Sequence, residues 1–251
     1  MRETDFIGGF AKGLRVIEAF GEARPRLTIT DVSKETGLDR ATARRCLLTL
    51  AELGYAAYDG KFFELTPRIL RLGHAYLSAT PLPLLVQPFL DQLSEKVGES
   101  ASSSVLDGAE IVYVARAAQR RVMSVNLMPG SRLPAYCASM GRVLLAALPE
   151  AEARAVIEGS DRKPKTPFTK TEPEALMAEL ARVRGQGYAL IDQELELGLC
   201  SIAVPLETAR GHVVAALNIG ASTAHVAAHE MVERYLPALR AVQAALRPLL
   251  A

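Results

Sequence analysis

The chain has 251 residues, of which 49% are hydrophobic, and a formal net charge of +1. This length can bury a substantial core and predicts two domains, whereas the near-neutral charge excludes a general basic field as the means of holding nucleic acid. No Lys/Arg-led apolar segment opens the chain and no run of about 18 apolar residues occurs, so the sequence supports neither export nor a membrane span.

Cysteine and histidine usage indicates a metal-free protein of a reducing compartment. Cys46, Cys137 and Cys200 cannot form an even set of disulfides, which favours the cytoplasm. His225 and His229 have the spacing of metal ligands on a helix, but no nearby cysteine or third histidine completes a zinc site, so a solvated helical face is preferred. Glycine-rich phosphate-binding motifs are missing as well, and no cofactor is expected.

Residues 27–65 have the pattern of a winged helix-turn-helix. Thr28 and Asp31 form a capping-box pair at the start of a helix that Gly37 ends. Asp39 then caps a second helix, which Gly54 closes. Apolar side chains recur along this helix at three- and four-residue intervals and predict one buried face: Ala43, Cys46, Leu47, Leu50 and Leu53.

The opposite face of the second helix predicts contact with duplex DNA. A recognition helix presents donors to base edges and phosphates near its N-terminal end. The candidates here are Arg40, Thr42, Arg44 and Arg45. Asp59-Gly60 suits the type I′ turn of a hairpin, which places Lys61 beside the tip of the wing. The alternative is that the arginines only solvate a surface helix.

The flanking segments predict two further helices. Phe10, Leu14 and Ile17 recur at helical spacing within residues 9–20, with Val16 and Phe20 as further candidates, and we expect this helix to pack on the two-helix unit. Thr66-Pro67 starts a linker helix, which ends near Thr80-Pro81-Leu82-Pro83. The predicted domains are a DNA-binding domain (1–65), a linker helix (66–79) and an effector-binding and oligomerisation domain (80–251).

Beyond residue 84, helices alternate with strands joined mostly by hairpins. A helix with apolar positions from Leu85 to Val97 is interrupted or kinked at Pro88. Turns are predicted at Asp107-Gly108 and Arg210-Gly211, and a long closing helix over 226–249. Strands are predicted over 100–106, 110–115, 122–127, 188–191, 201–206 and 213–219. The pattern indicates an α+β sensor domain with a mostly antiparallel sheet.

Two segments suggest a ligand site. The loop from Pro129 to Pro134 leads to a helix that begins near Ser139, where free amides suit a carboxylate or phenolate; a capped helix end facing water is the alternative. Asp192 and Glu194 lie in an acidic loop, which serves either as a polar rim or as a solvated connector. A DNA-tethered hydrolase with Cys137 or Ser139 as nucleophile is a rival, but no general base is identifiable.

Four segments resemble the IclR family of transcriptional regulators, and in particular the branch that controls aromatic-acid catabolism through the β-ketoadipate pathway. The resemblance covers nearly the whole chain. Its most specific segments are Lys12–Ile17, Leu72–Ser78, Arg132–Arg142 and Asp192–Glu196.

This resemblance implies a winged domain, a linker helix and a GAF-like effector domain, assembled as a homodimer or a dimer of dimers. The effector would lie between the helix start, the acidic loop and the following strands. The positions carried over are Arg132, Leu133, Ala135, Tyr136, Ser139, Met140, Gly141, Asp192, Glu194, Cys200, Ser201 and Asn218. The branch usually has arginine where this chain has Cys200. If that arginine pairs with an effector carboxylate in relatives, this protein either recognises a different ligand or uses Arg132 or Arg142 instead.

The sequence therefore predicts a non-enzymatic, ligand-responsive regulator that binds operator DNA. The implied effector is a small aromatic or ring-cleavage acid of the protocatechuate, 4-hydroxybenzoate or β-ketoadipate class. A purely architectural DNA-binding oligomer is the remaining alternative. Operator sequence, sign of regulation and dimer versus tetramer are left open.

Overall fold

The computed structural model describes residues 5–21, 24–79, 81–119 and 127–250. The chain divides into two compact units, residues 1–80 and 81–251. The strand predicted over 122–127 lies outside the described residues, except for its last position, Leu127. Within the described ranges, no helix combines the length and the apolar character needed to cross a membrane.

The first unit is a three-helix head with a small sheet, followed by one more helix. Its strands pair antiparallel in the order β1-β3-β2. The elements are α1 (Gly8–Glu18), β1 (Arg26–Leu27), α2 (Ile29–Thr36), α3 (Arg40–Glu52), β2 (Ala56–Tyr58), β3 (Phe63–Leu65), a 3-10 turn (Pro67–Ile69) and α4 (Leu70–Ala79).

The predicted helix caps are present. Thr28 and Asp31 form a reciprocal capping box at the start of α2, and the Asp39 side chain accepts a hydrogen bond from the Thr42 amide at the start of α3. Gly37 and Gly54 both have the positive φ that ends a helix without strain, 68° and 75°. The predicted helix-turn-helix is therefore confirmed in its local chemistry.

The turn type predicted for the wing is wrong. Tyr58 pairs with Phe63, so the loop has four residues rather than the two of a type I′ turn, and only Gly60 in it has positive φ. The Asp59 carboxylate accepts hydrogen bonds from the amides of Lys61 and Phe62, at 2.9 and 2.7 Å. This local side-chain bonding favours the wider loop.

α1 packs on the two-helix unit as predicted, through Val16 and Ile17, but only part of its apolar stripe is buried. Val16 is its buried residue, whereas Phe10 is 68% exposed and Leu14 40% exposed. Exposed apolar side chains also occur on α4, where Leu70 is 70% exposed and Tyr76 47% exposed. The hydrophobic periodicity predicted where the helices lie, but most of the apolar stripe on α1 is exposed in the first unit.

The second unit is a six-stranded antiparallel sheet with helices on both faces, in the order β6-β5-β4-β9-β8-β7. Its helices are α5 (Leu82–Val97), α6 (Ser139–Ala147), α7 (Glu150–Gly159), α8 (Pro173–Gln186) and α9 (Met231–Leu246). Its strands are β4 (Ser100–Asp107), β5 (Glu110–Ala117), β6 (Arg132–Pro134), β7 (Ala189–Asp192), β8 (Leu199–Glu207) and β9 (Val213–Ser222).

Two hydrophobic cores lie on opposite faces of this sheet. One joins the sheet to α5 and α9, with Leu90, Ile202 and Leu239 fully buried. The other joins it to α6, α7 and α8, and includes Ile157 and Leu180. Side chains alternate between the faces along each strand, so neighbouring positions serve different cores.

Three local predictions for this unit need correction. The loop predicted over 129–134 contains β6, which pairs with β5 through Leu133 and Ile111. The helix around Pro88 is one helix over 82–97, not two. The closing helix is shorter than predicted, because 3-10 turns replace both of its ends.

Candidate functional site

The first unit presents an exposed basic face on α3. Arg40 and Arg44 lie four residues apart, one helical turn, and both are exposed. The caps at Thr28 and Asp39 fix the starts of α2 and α3, and Ala43 and other apolar residues of α3 bury the opposite face. A rigid helix thus offers guanidinium groups to solvent at its N-terminal end.

The other two predicted DNA-contacting residues, Thr42 and Arg45, have different surroundings although Arg45 is also exposed. Thr42 is 7% exposed, so its hydroxyl is inside the head rather than on the arginine face. Arg45 donates a hydrogen bond to the Thr42 hydroxyl at 3.4 Å and, with Thr42, lines a groove of about 540 Å³ beside α1. Thr42 is thus buried, whereas the Arg45 guanidinium is exposed but bonded toward the groove.

The wing carries a second cation that the sequence did not single out. Lys61 is exposed near the loop tip, with its ammonium 5.0 Å from the centre of the Phe62 ring. Arg26, on β1, lies 5.0 Å from the same ring and forms an ion pair with Asp59. The ring holds two cationic side chains beside it, a recognised cation–π arrangement.

The second unit contains a small pocket between its sheet and the start of α6. Its cavity volume is about 30 Å³, close to the space of one water molecule. Sixteen residues line it: Ser100, Ser102, Ile111, Tyr113, Arg116, Leu127, Leu133, Cys137, Ala138, Ser139, Met140, Leu195, Leu199, Ser201, Asn218 and Gly220. The predicted effector residues among them are Leu133, Ser139, Met140, Ser201 and Asn218.

A row of polar side chains crosses the floor of this pocket. Arg116 on β5 pairs with Ser102 on β4, which in turn pairs with Asn218 on β9. Arg116 Nη1 donates to Ser102 Oγ at 3.0 Å, while Arg116 Nε and Asn218 Oδ1 are buried and have no hydrogen-bond partner among the described residues. The rest of the described lining is mostly apolar and contains no acidic residue.

Sequence reasoning missed Arg116 and Ser102. The available signal was a cation near the end of an apolar strand, together with serines at consecutive positions of the neighbouring buried strand. Neither has a motif spacing, and only the antiparallel register brings them together. Burial is the largest influence on Arg116 and lowers the pKa of its guanidinium below the usual value.

The roof of the pocket is the predicted helix start. α6 begins at Ser139, and no side chain caps it. Ser139 is 2% exposed and its hydroxyl is buried without a partner. The expected polar helix start therefore faces the cavity, opposite the polar row on the sheet.

The structure does not bring Cys200, Asp192 or Arg132 into the pocket. Cys200 packs in the core under α9 and donates to the carbonyl of Val226 at 3.5 Å. Asp192 is exposed at the end of β7. Arg132 forms ion pairs with Asp107 and Glu110, both at 2.7 Å, so its guanidinium already has carboxylate partners.

Arg142 and Glu194 form a buried ion pair instead of a ligand site. Arg142 is fully buried, and its Nη2 donates to Glu194 Oε2 at 2.6 Å. Its Nε donates to the carbonyl of Tyr136 at 3.0 Å. Glu194 also accepts from the Lys170 amide at 2.9 Å. This pair ties α6 to the acidic loop, whose Leu195 lines the pocket.

Three further predicted residues support the helix start from behind. A Cβ added at Gly141 would lie 2.2 Å from the Ala135 carbonyl oxygen, so only glycine allows α6 to pack on the preceding turn. Tyr136 is buried, and its hydroxyl donates to the Lys163 carbonyl at 2.5 Å. These residues shape the roof without lining the cavity.

The lining residues that the structure describes do not form a nucleophile–base pair. Cys137 is fully buried, and this burial raises the pKa of its thiol to about 11, so the reactive thiolate is scarce at neutral pH. No histidine is among the lining residues that the structure describes. Within the same described ranges, no three His, Cys, Asp or Glu side chains are grouped to hold a metal ion.

Two family models match this chain. The model described as "IclR helix-turn-helix domain" matches residues 10–60, and the model described as "Bacterial transcriptional regulator IclR C-terminal" matches residues 74–247.

Similar proteins include regulators from two bacteria. The chain is 48% identical to the Pca regulon regulatory protein of Pseudomonas putida, over 95% of this chain and 82% of the relative. It is 40% identical to the p-hydroxybenzoate hydroxylase transcriptional activator of Acinetobacter baylyi, over 96% of this chain and 90% of the relative. It also resembles the Acinetobacter PobR inducer-binding domain, which was solved as a double mutant with 3-hydroxybenzoic acid. The TM-score is 0.63 and the identity 36%, over 67% of this chain and 98% of that domain.

The matched segments span both units and include the capped head and the pocket-bearing sheet. The chain belongs to the IclR family of bacterial transcriptional regulators, and it is a regulator rather than an enzyme.

Proposed function

We propose that this protein is a cytoplasmic, ligand-responsive regulator of aromatic-compound catabolism. Residues 1–65 would bind operator DNA, residues 66–79 would form the linker and residues 80–251 would bind the effector. The observation that carries the proposal is the pocket under α6, in which Arg116 Nε, Ser139 Oγ and Asn218 Oδ1 lack partners among the described residues while the walls are apolar. Such a lining suits a small acid with an apolar body.

The names of the relatives support the effector class. They regulate the Pca regulon and p-hydroxybenzoate hydroxylase, and the PobR inducer-binding domain holds 3-hydroxybenzoic acid. The effector of this chain is therefore a small aromatic or ring-cleavage carboxylic acid, of the protocatechuate, 4-hydroxybenzoate or β-ketoadipate class.

DNA binding follows from the head. α3 enters the major groove with Arg40 and Arg44 toward base edges and phosphates, while Lys61 on the wing contacts the backbone. Residues 1–79 hold 12 basic and 10 acidic residues, so a single head has little general attraction for DNA. Two heads on a pseudo-palindromic operator supply the affinity that one head lacks.

A homodimer is supported by the outward apolar face of the first unit. Phe10 and Leu14 on α1 and Leu72 on α4 line the 540 Å³ groove, and all three are at least 40% exposed. Contiguous exposed apolar surface of this kind marks an interaction site. A second copy of the chain covers this face, and pairing of such dimers gives the dimer of dimers.

Ligand binding must change the pocket. A cavity of about 30 Å³ is far below the roughly 300–1,000 Å³ of ordinary ligand sites, so an aromatic ring enters only after the lining separates. The acid therefore favours an open form of the second unit. It alters transcription because its affinities for the two forms differ.

The proposal is tested by a thermal-shift screen of the full chain against hydroxylated benzoates, catechols, muconate and β-ketoadipate. A ligand that binds only the native state raises the melting temperature in a saturable way. We expect such a rise with at least one acid. A flat response to the whole panel would reject the effector role and favour an architectural DNA-binding oligomer.

A further inference from the structure

The polar row on the pocket floor contains the only cationic side chain among the described lining residues, Arg116. The sequence offered Arg132 and Arg142 as partners for an effector carboxylate, but both already hold carboxylates of this chain. Arg116 differs from them, since no ion pair with a carboxylate is present for it within the described part of the chain.

Arg116 is half-buried, and the burial of its Nε atom makes the lack of a partner unfavourable. Desolvating a guanidinium without an opposite charge is unfavourable, and each unmet donor adds to the cost. Arg116 Nη1 donates a hydrogen bond to the Ser102 hydroxyl, but Nε is buried and has no acceptor among the described residues. A bound carboxylate would supply both the missing charge and the missing acceptor.

The neighbouring strand fixes the direction in which the guanidinium lies. Ser102 Oγ accepts from Arg116 at 3.0 Å, and the register places Asn218 on the far side of Ser102. Asn218 is 8% exposed and its Oδ1 has no donor. The row thus presents a cation at one side of the floor and a free acceptor further along.

The roof offers a second polar end. Ser139 Oγ is buried without a partner at the start of α6, and apolar side chains such as Ile111, Leu133 and Leu199 fill the walls. A ligand with a carboxylate at one end, an apolar middle and an oxygen group at the other matches this distribution.

We propose that Arg116, assisted by Ser102, is the carboxylate anchor of the effector pocket, and that Asn218 and Ser139 receive the polar group at the ligand's other end. This assignment rests on the proposed effector role and deepens it. It moves the anionic end of the ligand from the helix start, where the sequence placed it, to the sheet. The helix start then takes the hydroxyl or second acid group.

The test compares acids with their neutral amides. Calorimetry on the full-length wild type would measure 4-hydroxybenzoate, protocatechuate and β-ketoadipate, together with 4-hydroxybenzamide. Because hydrogen bonds to charged groups contribute about 1.5–3 kcal/mol, we expect the benzoate to bind about 10- to 100-fold more tightly than its amide. Equal affinity of the benzoate and its amide would overturn the anchor; no binding of any acid would instead reject the effector role itself.

Variants locate the anchor. Arg116→Gln should lose about 10- to 100-fold in affinity for the acid that binds wild type, and the preference for acid over amide should disappear. Arg116→Lys should retain part of the preference because the charge remains. Arg132→Gln is the matched control, since its guanidinium pairs with Asp107 and Glu110 outside the pocket, and it should bind as wild type does.

Folding is followed in the same variants without ligand. Arg116 has no carboxylate partner to lose, so Arg116→Gln should melt at or above the wild-type temperature. Retained acid preference in Arg116→Gln, or its loss in Arg132→Gln alone, would overturn the assignment. If Arg116→Gln does not fold, the Arg116→Lys variant and the wild-type comparison of acid with amide decide the question.

Discussion

Single residues of the head separate two roles on one helix. Arg40 and Arg44 are exposed at the N-terminal end of α3, whereas Thr42 is buried and Arg45 bonds to it. The sequence grouped all four because they are adjacent, but helical rotation gives neighbours different surroundings. Arg45 is also exposed but is bonded to Thr42, so Arg40 and Arg44 are the candidates that we propose for base contact.

Arg44→Ala should weaken binding to the specific operator by about 5- to 150-fold, if the guanidinium spans a guanine edge. Fluorescence anisotropy with a labelled duplex at fixed salt would measure it. Arg234→Ala, an exposed arginine of α9, controls for the loss of one positive charge. Equal affinity in Arg44→Ala and the control would contradict the assignment.

Gly141→Ala tests the close approach behind the pocket roof. The added methyl group would collide with the Ala135 carbonyl, and overpacking of this kind costs about 1–3 kcal/mol or more. We expect a lower melting temperature and weaker effector binding. Gly159→Ala is the control, because nothing lies within 4 Å of its added Cβ on α7, and it should melt close to wild type.

At the scale of elements, an ion-pair network joins α6, α8 and the acidic loop. Arg142 on α6 contacts Glu194 of the loop and Glu179 of α8, at 2.6 and 3.8 Å. Lys170 also reaches Glu179, at 3.0 Å. The network fixes the loop that places Leu195 in the pocket, although none of its charges lines the cavity.

The pH dependence of stability should report this network. Burial raises the pKa of Glu179, but hydrogen bonds from Arg182 and Lys170 outweigh it and hold the pKa below its usual 4.5. Because the pKa of Glu179 is lower in the folded than in the unfolded state, its ionised carboxylate stabilises the fold above about pH 4.5. This contribution to the free energy of unfolding is lost as the pH falls through the folded-state pKa.

The free energy of unfolding should therefore differ most between wild type and Glu179→Gln at neutral pH, with the gap narrowing below about pH 4.5. Denaturant titrations across this range would measure it. Glu174 lies on α8, as Glu179 does, and is an exposed partner of Arg154 on α7. Glu174→Gln should therefore change the free energy of unfolding much less. A gap for Glu179→Gln that does not change with pH would contradict this role.

Local chemistry explains which elements the sequence could predict. Caps at Thr28 and Asp39, and the glycine at position 108 of the β4–β5 hairpin, act within a few residues and were read correctly. β6 was missed because its three residues have no alternating pattern and are fixed by pairing with β5. The pocket cation Arg116 was missed because only the register of three strands brings it into one row with Ser102 and Asn218.

At the scale of the whole molecule, the outward face of α1 is an apolar surface that is exposed among the described residues of the first unit. Phe10 is 68% exposed beside a groove that Leu14 and Leu72 also line. Helical periodicity cannot distinguish a face buried within the chain from one buried by a partner, so the sequence prediction assigned this stripe to the head's own core.

Phe10→Glu should shift the full chain toward monomers, because a charge cannot be buried in an apolar interface without a partner. Sedimentation velocity over a range of concentrations would measure it. Phe168→Glu changes an equally exposed aromatic residue of the second unit and serves as the control. Unchanged association in Phe10→Glu would place the dimer contact elsewhere.

The central claim is that one acid in the pocket changes how the head binds DNA. The direct measurement is operator affinity of the full chain with and without a saturating acid from the screen, at one salt concentration, using an operator selected from random duplexes. We expect the acid to change operator affinity by about 5- to 150-fold, and bound operator to change acid affinity by the same factor. An acid that binds saturably and leaves operator affinity unchanged would contradict the account.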